Sequence, residues 1–90
     1  MLTSQDVAAD GFRRTKWREG YDQGEVRAFL ERVRETLAGI ETRRPASTPV
    51  TAADVVAARL TPTKFREGFD QVDVDDFLEE VAQTLRQYEQ

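Results

Sequence analysis

The sequence predicts an all-α fold: two repeats, each a short helix, a loop and a long helix, packed as a small helical bundle with a parallel coiled-coil-like seam. Three observations predict it. The 90-residue chain repeats itself at an offset of 48, aligning Thr3 with Thr51, Asp6 with Asp54, Trp17 with Phe65, Phe29 with Phe77 and Leu37 with Leu85. Roughly half of about 40 aligned positions are identical, which marks two copies of one supersecondary unit. Each copy carries a helix-capping signal, and each closes on a segment whose apolar residues recur with helical spacing. The units are residues 1–41 and 51–90, with 42–50 as linker.

Each unit opens on "TSQD" or "TAAD", the Ser/Thr-x-x-Asp/Glu pattern in which a hydroxyl and a carboxylate satisfy reciprocal backbone N–H groups. A short helix of about two turns is expected there, running towards Phe12 or Leu60 and too short to stand alone. The loop follows, "RRTKWREG" in the first unit and "TPTKFREG" in the second, with Pro62, Gly20 and Gly68 as helix breakers. Asp22 and Asp70 are expected to cap the long helices, each with an acidic residue in the first turn, Glu25 or Asp73. Tyr21 and Phe69, just before those caps, suit a hydrophobic staple.

The long helices carry the stripe Val26, Phe29, Leu30, Val33, Leu37, Ile40 and its counterpart Val74, Phe77, Leu78, Val81, Leu85, Tyr88. Val26, Val33 and Ile40 are seven apart, as are Val74, Val81 and Tyr88, the spacing of a coiled-coil seam. The leucines widen that seam into a bundle face. Phe29 and Phe77 are expected in the core. The linker "TRRPASTPV" reads as extended. Pairing of the two units within one chain, as a pseudo-dimer, and pairing between two chains as a homodimer are both open.

Composition narrows the function. With no His, no Cys, no phosphate-binding glycine loop and no metal-ligand spacing, the chain offers nothing for catalysis, and no enzyme activity, cofactor or metal is expected. A net charge of −4 argues against nucleic acid as partner, since a basic face is the usual electrostatic footprint. The start "MLTSQDVAADGF" has neither a basic n-region nor an apolar h-region, so a cytoplasmic protein is expected. The acidic run "DVDDFLEE" reads as a solvated helix face.

What remains is an octapeptide written twice, "KWREGYDQ" (Lys16–Gln23) and "KFREGFDQ" (Lys64–Gln71). An aromatic between two cations beside a turn is awkward to bury, because its neighbours would be desolvated with it. Two readings stay open. Trp17 and Phe65 are exposed loop tips, or they close the bundle end while the arginines snorkel to water.

"LTSQDV" with "KWREGYDQGEVRAFLERV", and "VTAADV" with "KFREGFDQVDVDDFLEEV", resemble the amino-terminal domain of DivIVA-type proteins, present here as two tandem repeats. The resemblance departs at Ser4 and Ala52, which stand where the family usually has proline, in the duplication, and in the absence from these residues of a long carboxy-terminal coiled coil. It implies a parallel dimer of helical units with crossed loops, in which an aromatic and its neighbouring arginine touch the inner face of the bacterial membrane, with a link to cell division or polar growth.

By position, the contact residues would be Trp17 with Arg18, and Phe65 with Arg66; Lys16, Arg13 and Arg14 add charge to the first tip and Lys64 to the second. The expected partner is an anionic membrane surface, where an amphipathic aromatic and a few cations suffice for peripheral contact. The alternative is a cytosolic protein–protein interaction adaptor of the same fold, with unidentified protein partners and no membrane binding.

Overall fold

A computed structural model of the chain describes residues 1–89; the last residue of the second expected unit, Gln90, lies outside that range. In order along the chain are a one-turn 3-10 helix (Ser4–Asp6), strands β1 (Arg14–Thr15) and β2 (Gly20–Tyr21), helix α1 (Gln23–Thr42), helix α2 (Ala52–Ala57), strands β3 (Pro62–Thr63) and β4 (Gly68–Asp70), and helix α3 (Gln71–Glu89).

This corrects the expected all-α bundle. The two loops are strands of one antiparallel four-stranded sheet, ordered β1-β4-β2-β3. Every strand pair joins one unit to the other: Arg14 faces Phe69, Tyr21 faces Pro62, and Tyr21 faces Phe69. Neither loop pairs with itself. A strand of two or three residues has no period to read, and its hydrogen-bond partners lie in the other repeat, so nothing local in the sequence announces it.

The coiled-coil seam is corrected as well. Close backbone packing runs between α2 and α3 and between the 3-10 helix and α1, while α1 and α3 approach each other closely at few points. The apolar stripes are shared with the short elements and the sheet, and an interface of that kind has no continuous knobs-into-holes register. The core is nonetheless single, holding Val26, Leu30, Val33 and Leu37 with Val74, Val81, Ala82 and Leu85, plus Val7, Val50, Val55 and Phe69. Phe29 and Phe77 are half-buried at its edge.

The long helices run the same way. Both start at the sheet, and both end beside the openings of the units: Leu2 N–H donates to Thr84 Oγ1 at 3.1 Å and Ser4 N–H to Glu41 Oε2 at 2.8 Å. The second opening repeats this, with Val50 N–H on Thr36 Oγ1 at 2.9 Å and Ala52 N–H on Glu89 Oε2 at 2.8 Å. The molecule is accordingly long and narrow, 43 × 21 × 18 Å.

Both openings are shorter than expected from the caps. Asp6 accepts from Thr3 N–H and Thr3 Oγ1 at 2.9 and 3.1 Å, but the helix leaves its axis at Val7. In the second unit Thr51 and Asp54 complete a reciprocal capping box and the alanine-richer "AADVVA" sustains an α-helix, as its higher propensity favours. The linker turns back at Arg43, in the left-handed conformation at φ 58°. It then packs on α1 so closely that a Cβ on Gly39 would stand 2.8 Å from Arg44 O.

Candidate membrane-contact tips

The sheet has an approximate two-fold axis. Tyr21 and Phe69 occupy equivalent places in the two repeats and face each other across β2 and β4. A two-fold relating antiparallel neighbours stands perpendicular to the sheet, so it carries one loop onto the other without changing face. The Lys16–Glu19 and Lys64–Glu67 tips therefore both lie at the sheet end of the molecule, on opposite sides of the axis. Trp17 is 75% exposed and Phe65 67%. The bundle-end reading thus fails on burial: the rings that fill the interior at this end are Phe69, fully buried, and Phe12, edge-on to it at 5.6 Å between centroids.

The repeated octapeptide is self-complementary across the axis. Arg18 Nη2 donates to Asp70 Oδ2 at 2.7 Å, and Arg66 donates to Asp22 Oδ2 at 3.3 Å. Gln23 Nε2 donates to Glu67 at 3.0 Å; Gln71 Nε2 reaches Glu19 at 3.4 Å and Gly20 O at 3.2 Å. The backbone follows the same rule, with Asp22 N–H on Thr61 O at 2.9 Å and Asp70 N–H on Arg13 O at 2.8 Å.

Both glycines are required by the close approach of the strands. A Cβ on Gly20 would stand 2.7 Å from Phe69 O, and one on Gly68 would meet Thr63 Oγ1 and stand 2.8 Å from Tyr21 O.

Each aspartate has two tasks. Asp22 accepts from Glu25 N–H at 2.9 Å and Asp70 from Asp73 N–H at 3.1 Å, so both cap a long helix while anchoring the other unit's arginine. The Asp22 carboxyl lies below its ordinary range, first through Glu25 N–H and then through Arg66.

The eight expected contact residues are gathered at one end but divide into two groups. Arg13 is engaged by the other unit while its side chain stays largely exposed, its Nε and Nη2 on Asp73 at 3.1 and 3.0 Å. That bond raises the guanidinium's pKa and holds the Asp73 carboxyl below its usual range. Arg18 and Arg66 are the cross-braces just described. Arg14 comes within 3.6 Å of Glu67, both largely exposed, and such a pair is weak in water. Lys16 and Lys64 have no carboxylate partner among the described residues; each lies 5.4 Å from the centroid of the neighbouring ring, Trp17 or Phe65.

The exposed tips thus present two aromatics, two lysines and Arg14. Phe65 is further marked by φ 64°, a left-handed conformation that is unfavourable for a residue with a bulky side chain.

Sequence reasoning missed Asp22, Asp70, Glu67, Gln23 and Gln71 as braces, reading the aspartates as caps alone. The available signal was the octapeptide itself, which carries Arg with Asp and Glu with Gln in both copies. Among the described residues no helix is long and apolar enough to cross a membrane. No protein-family model, curated protein or solved structure matches the chain.

Proposed function

We propose that the sheet end of the molecule is a peripheral contact face for an anionic lipid surface, with Trp17 and Phe65 inserting as paired tips and Lys16, Lys64 and Arg14 meeting headgroup phosphates. The observation that carries this reading is the exposure of two aromatics on two-fold-related tips at one end of a molecule that buries a full core behind them. An amphipathic ring with a cation beside it is the side-chain chemistry of a membrane interface. Each unpaired cation adds about 1 kcal/mol near an anionic leaflet, and two tips held in one rigid frame bind by avidity.

Arg18 and Arg66 orient the tips through Asp70 and Asp22 and lend the remaining N–H donors of their exposed guanidinium groups. The resemblance to the amino-terminal domain of DivIVA-type proteins points the same way, towards a non-enzymatic module acting at the inner face of a bacterial membrane in division or polar growth.

The chain's single tryptophan is Trp17, so its emission tests the reading directly. Titration with phosphatidylglycerol vesicles is expected to shift the emission to the blue, and phosphatidylcholine vesicles are expected to leave it unchanged. Phe65→Ala should weaken the shift without lowering the melting temperature, and salt should weaken it as exposed charges are screened over about 8 Å at physiological strength. Flat emission from a folded protein rejects the lipid face and leaves the protein-binding adaptor.

A further inference from the structure

The two units share a backbone plan, yet the bonds across the axis differ at positions where the repeats have diverged. Tyr21 Oη donates to Asp75 at 2.8 Å, whereas at the equivalent place the Arg27 guanidinium lies over the Phe69 ring at 5.2 Å. Arg13 grips Asp73 with two side-chain nitrogens and its own N–H, whereas its counterpart Thr61 offers Glu25 only its N–H, at 3.0 Å. The charge has separated too. Residues 1–45 hold nine Lys/Arg and eight Asp/Glu, net +1; residues 46–90 hold four and nine, net −5, which together make the −4 of the chain.

We propose that Asp73 and Asp75 are specificity residues that make the second unit a partner for the first unit and for no copy of itself. If two second units were paired in this geometry, Asp75 would face the negative π surface of Phe69 in place of the Tyr21 hydroxyl. Asp73 would find Thr61 in place of the Arg13 guanidinium. Two units of net −5 would then be held together with carboxylates crowded at the seam.

Two first units would fare better, with Arg27 over the Tyr21 ring and Arg13 against Glu25, but such a pair leaves second units without a mate. Since every chain carries one of each, pairing unlike units is the only arrangement that satisfies all of them. Strings built on like-with-like pairs are thereby excluded, and the linker, which holds each second unit beside the first unit of its own chain, favours closure within the chain.

The full chain can be made to imitate each like-with-like pair. Arg13→Thr/Arg27→Asp gives the first unit the second unit's residues at the two positions that face Asp73 and Phe69, and is expected to lower the melting temperature by about 10 °C or more. The mirror variant Thr61→Arg/Asp75→Arg imitates two first units, and is expected to melt within a few degrees of the unaltered chain. Arg44→Thr/Arg86→Asp makes the same change of net charge away from the seam and controls for overall repulsion; it is expected to melt like the unaltered chain. Equal losses in the two seam variants, or a control that falls as far as Arg13→Thr/Arg27→Asp, overturn the proposal.

Discussion

Arg18, at one loop tip, is bonded at 2.7 Å to Asp70, a buried carboxylate of the opposite unit that also caps that unit's own helix α3. The tip and the helix are thus joined through one side chain. Removing the arginine leaves a buried carboxylate with its cap and only the more distant Arg13 Nη2, at 3.9 Å, as a cation. Arg18→Ala should therefore cost about 1–2 kcal/mol, a value already reduced for the guanidinium's exposure to solvent. Arg66→Ala should cost less, because Asp22 is more open and its bonds are longer. Urea melts of the two variants should rank them in that order; the reverse order would show that the cap alone carries Asp70.

Phe69 is the ring on which the sheet closes, fully buried beneath Arg27 and edge-on to Phe12. Phe69→Ala should cost about 3–5 kcal/mol, a large share of a small domain's stability. Phe77→Ala, at the half-buried edge, should cost about 2 kcal/mol. Chemical denaturation separates the two.

Gly68→Ala should destabilise by about 2 kcal/mol, because the added methyl meets the Thr63 side chain and the Tyr21 carbonyl of the neighbouring β2, and the sheet must open to admit it. Gly11→Ala, where no heavy atom lies within 4 Å, is the matched control and should melt at or above the parent temperature.

Tyr21 supplies a pH signature. Burial, followed by its bond to Asp75, pushes the phenol up to about 12. A folded-state pKa above the unfolded one means that this contribution is complete below pH 10 and is lost as pH rises through 12. Tyr21→Phe should remove that alkaline slope. At the other end, Asp73 is held low chiefly by its bond to Arg13. Its contribution is present above the ordinary aspartate pKa and disappears as pH falls through the lowered value, so thermal melts between pH 2 and 5 should lose part of their slope in Arg13→Gln.

Phe65 sets stability against binding. Phe65→Gly relieves the left-handed backbone and should gain up to about 1 kcal/mol. The same change removes an exposed ring and should weaken vesicle binding. A variant that gains stability and keeps full binding would remove Phe65 from the contact face.

The sequence made the long helices legible because their stripes have a 3.6-residue period over many turns, and Val33 and Val81 are indeed fully buried. The capping aspartates were equally readable. The sheet was not, since Arg14, Gly20, Thr63 and Phe69 make their ladder bonds with residues of the other repeat, and a local pattern contains no trace of such partners. At the tips, the charged neighbours of Trp17 and Phe65 left exposure and closure of the bundle end both open, and the fold decides for exposure. The division of the cations into free lysines and braced arginines did not, because it depends on which carboxylates the crossing brings close.

That crossing has a consequence for how the chain reaches its native state. β1 waits for β4 and β2 for both β3 and β4, so no strand pair forms inside either repeat. Loop closure over such separations costs entropy before any contact repays it, which slows folding. During synthesis the first repeat emerges with α1 able to form but with β2 unpaired until β3 has left the ribosome and β1 unpaired until β4 has followed. Folding is then a single late event for the whole chain, and amide protons at Tyr21 and Phe69 should exchange together, at the rate of global unfolding.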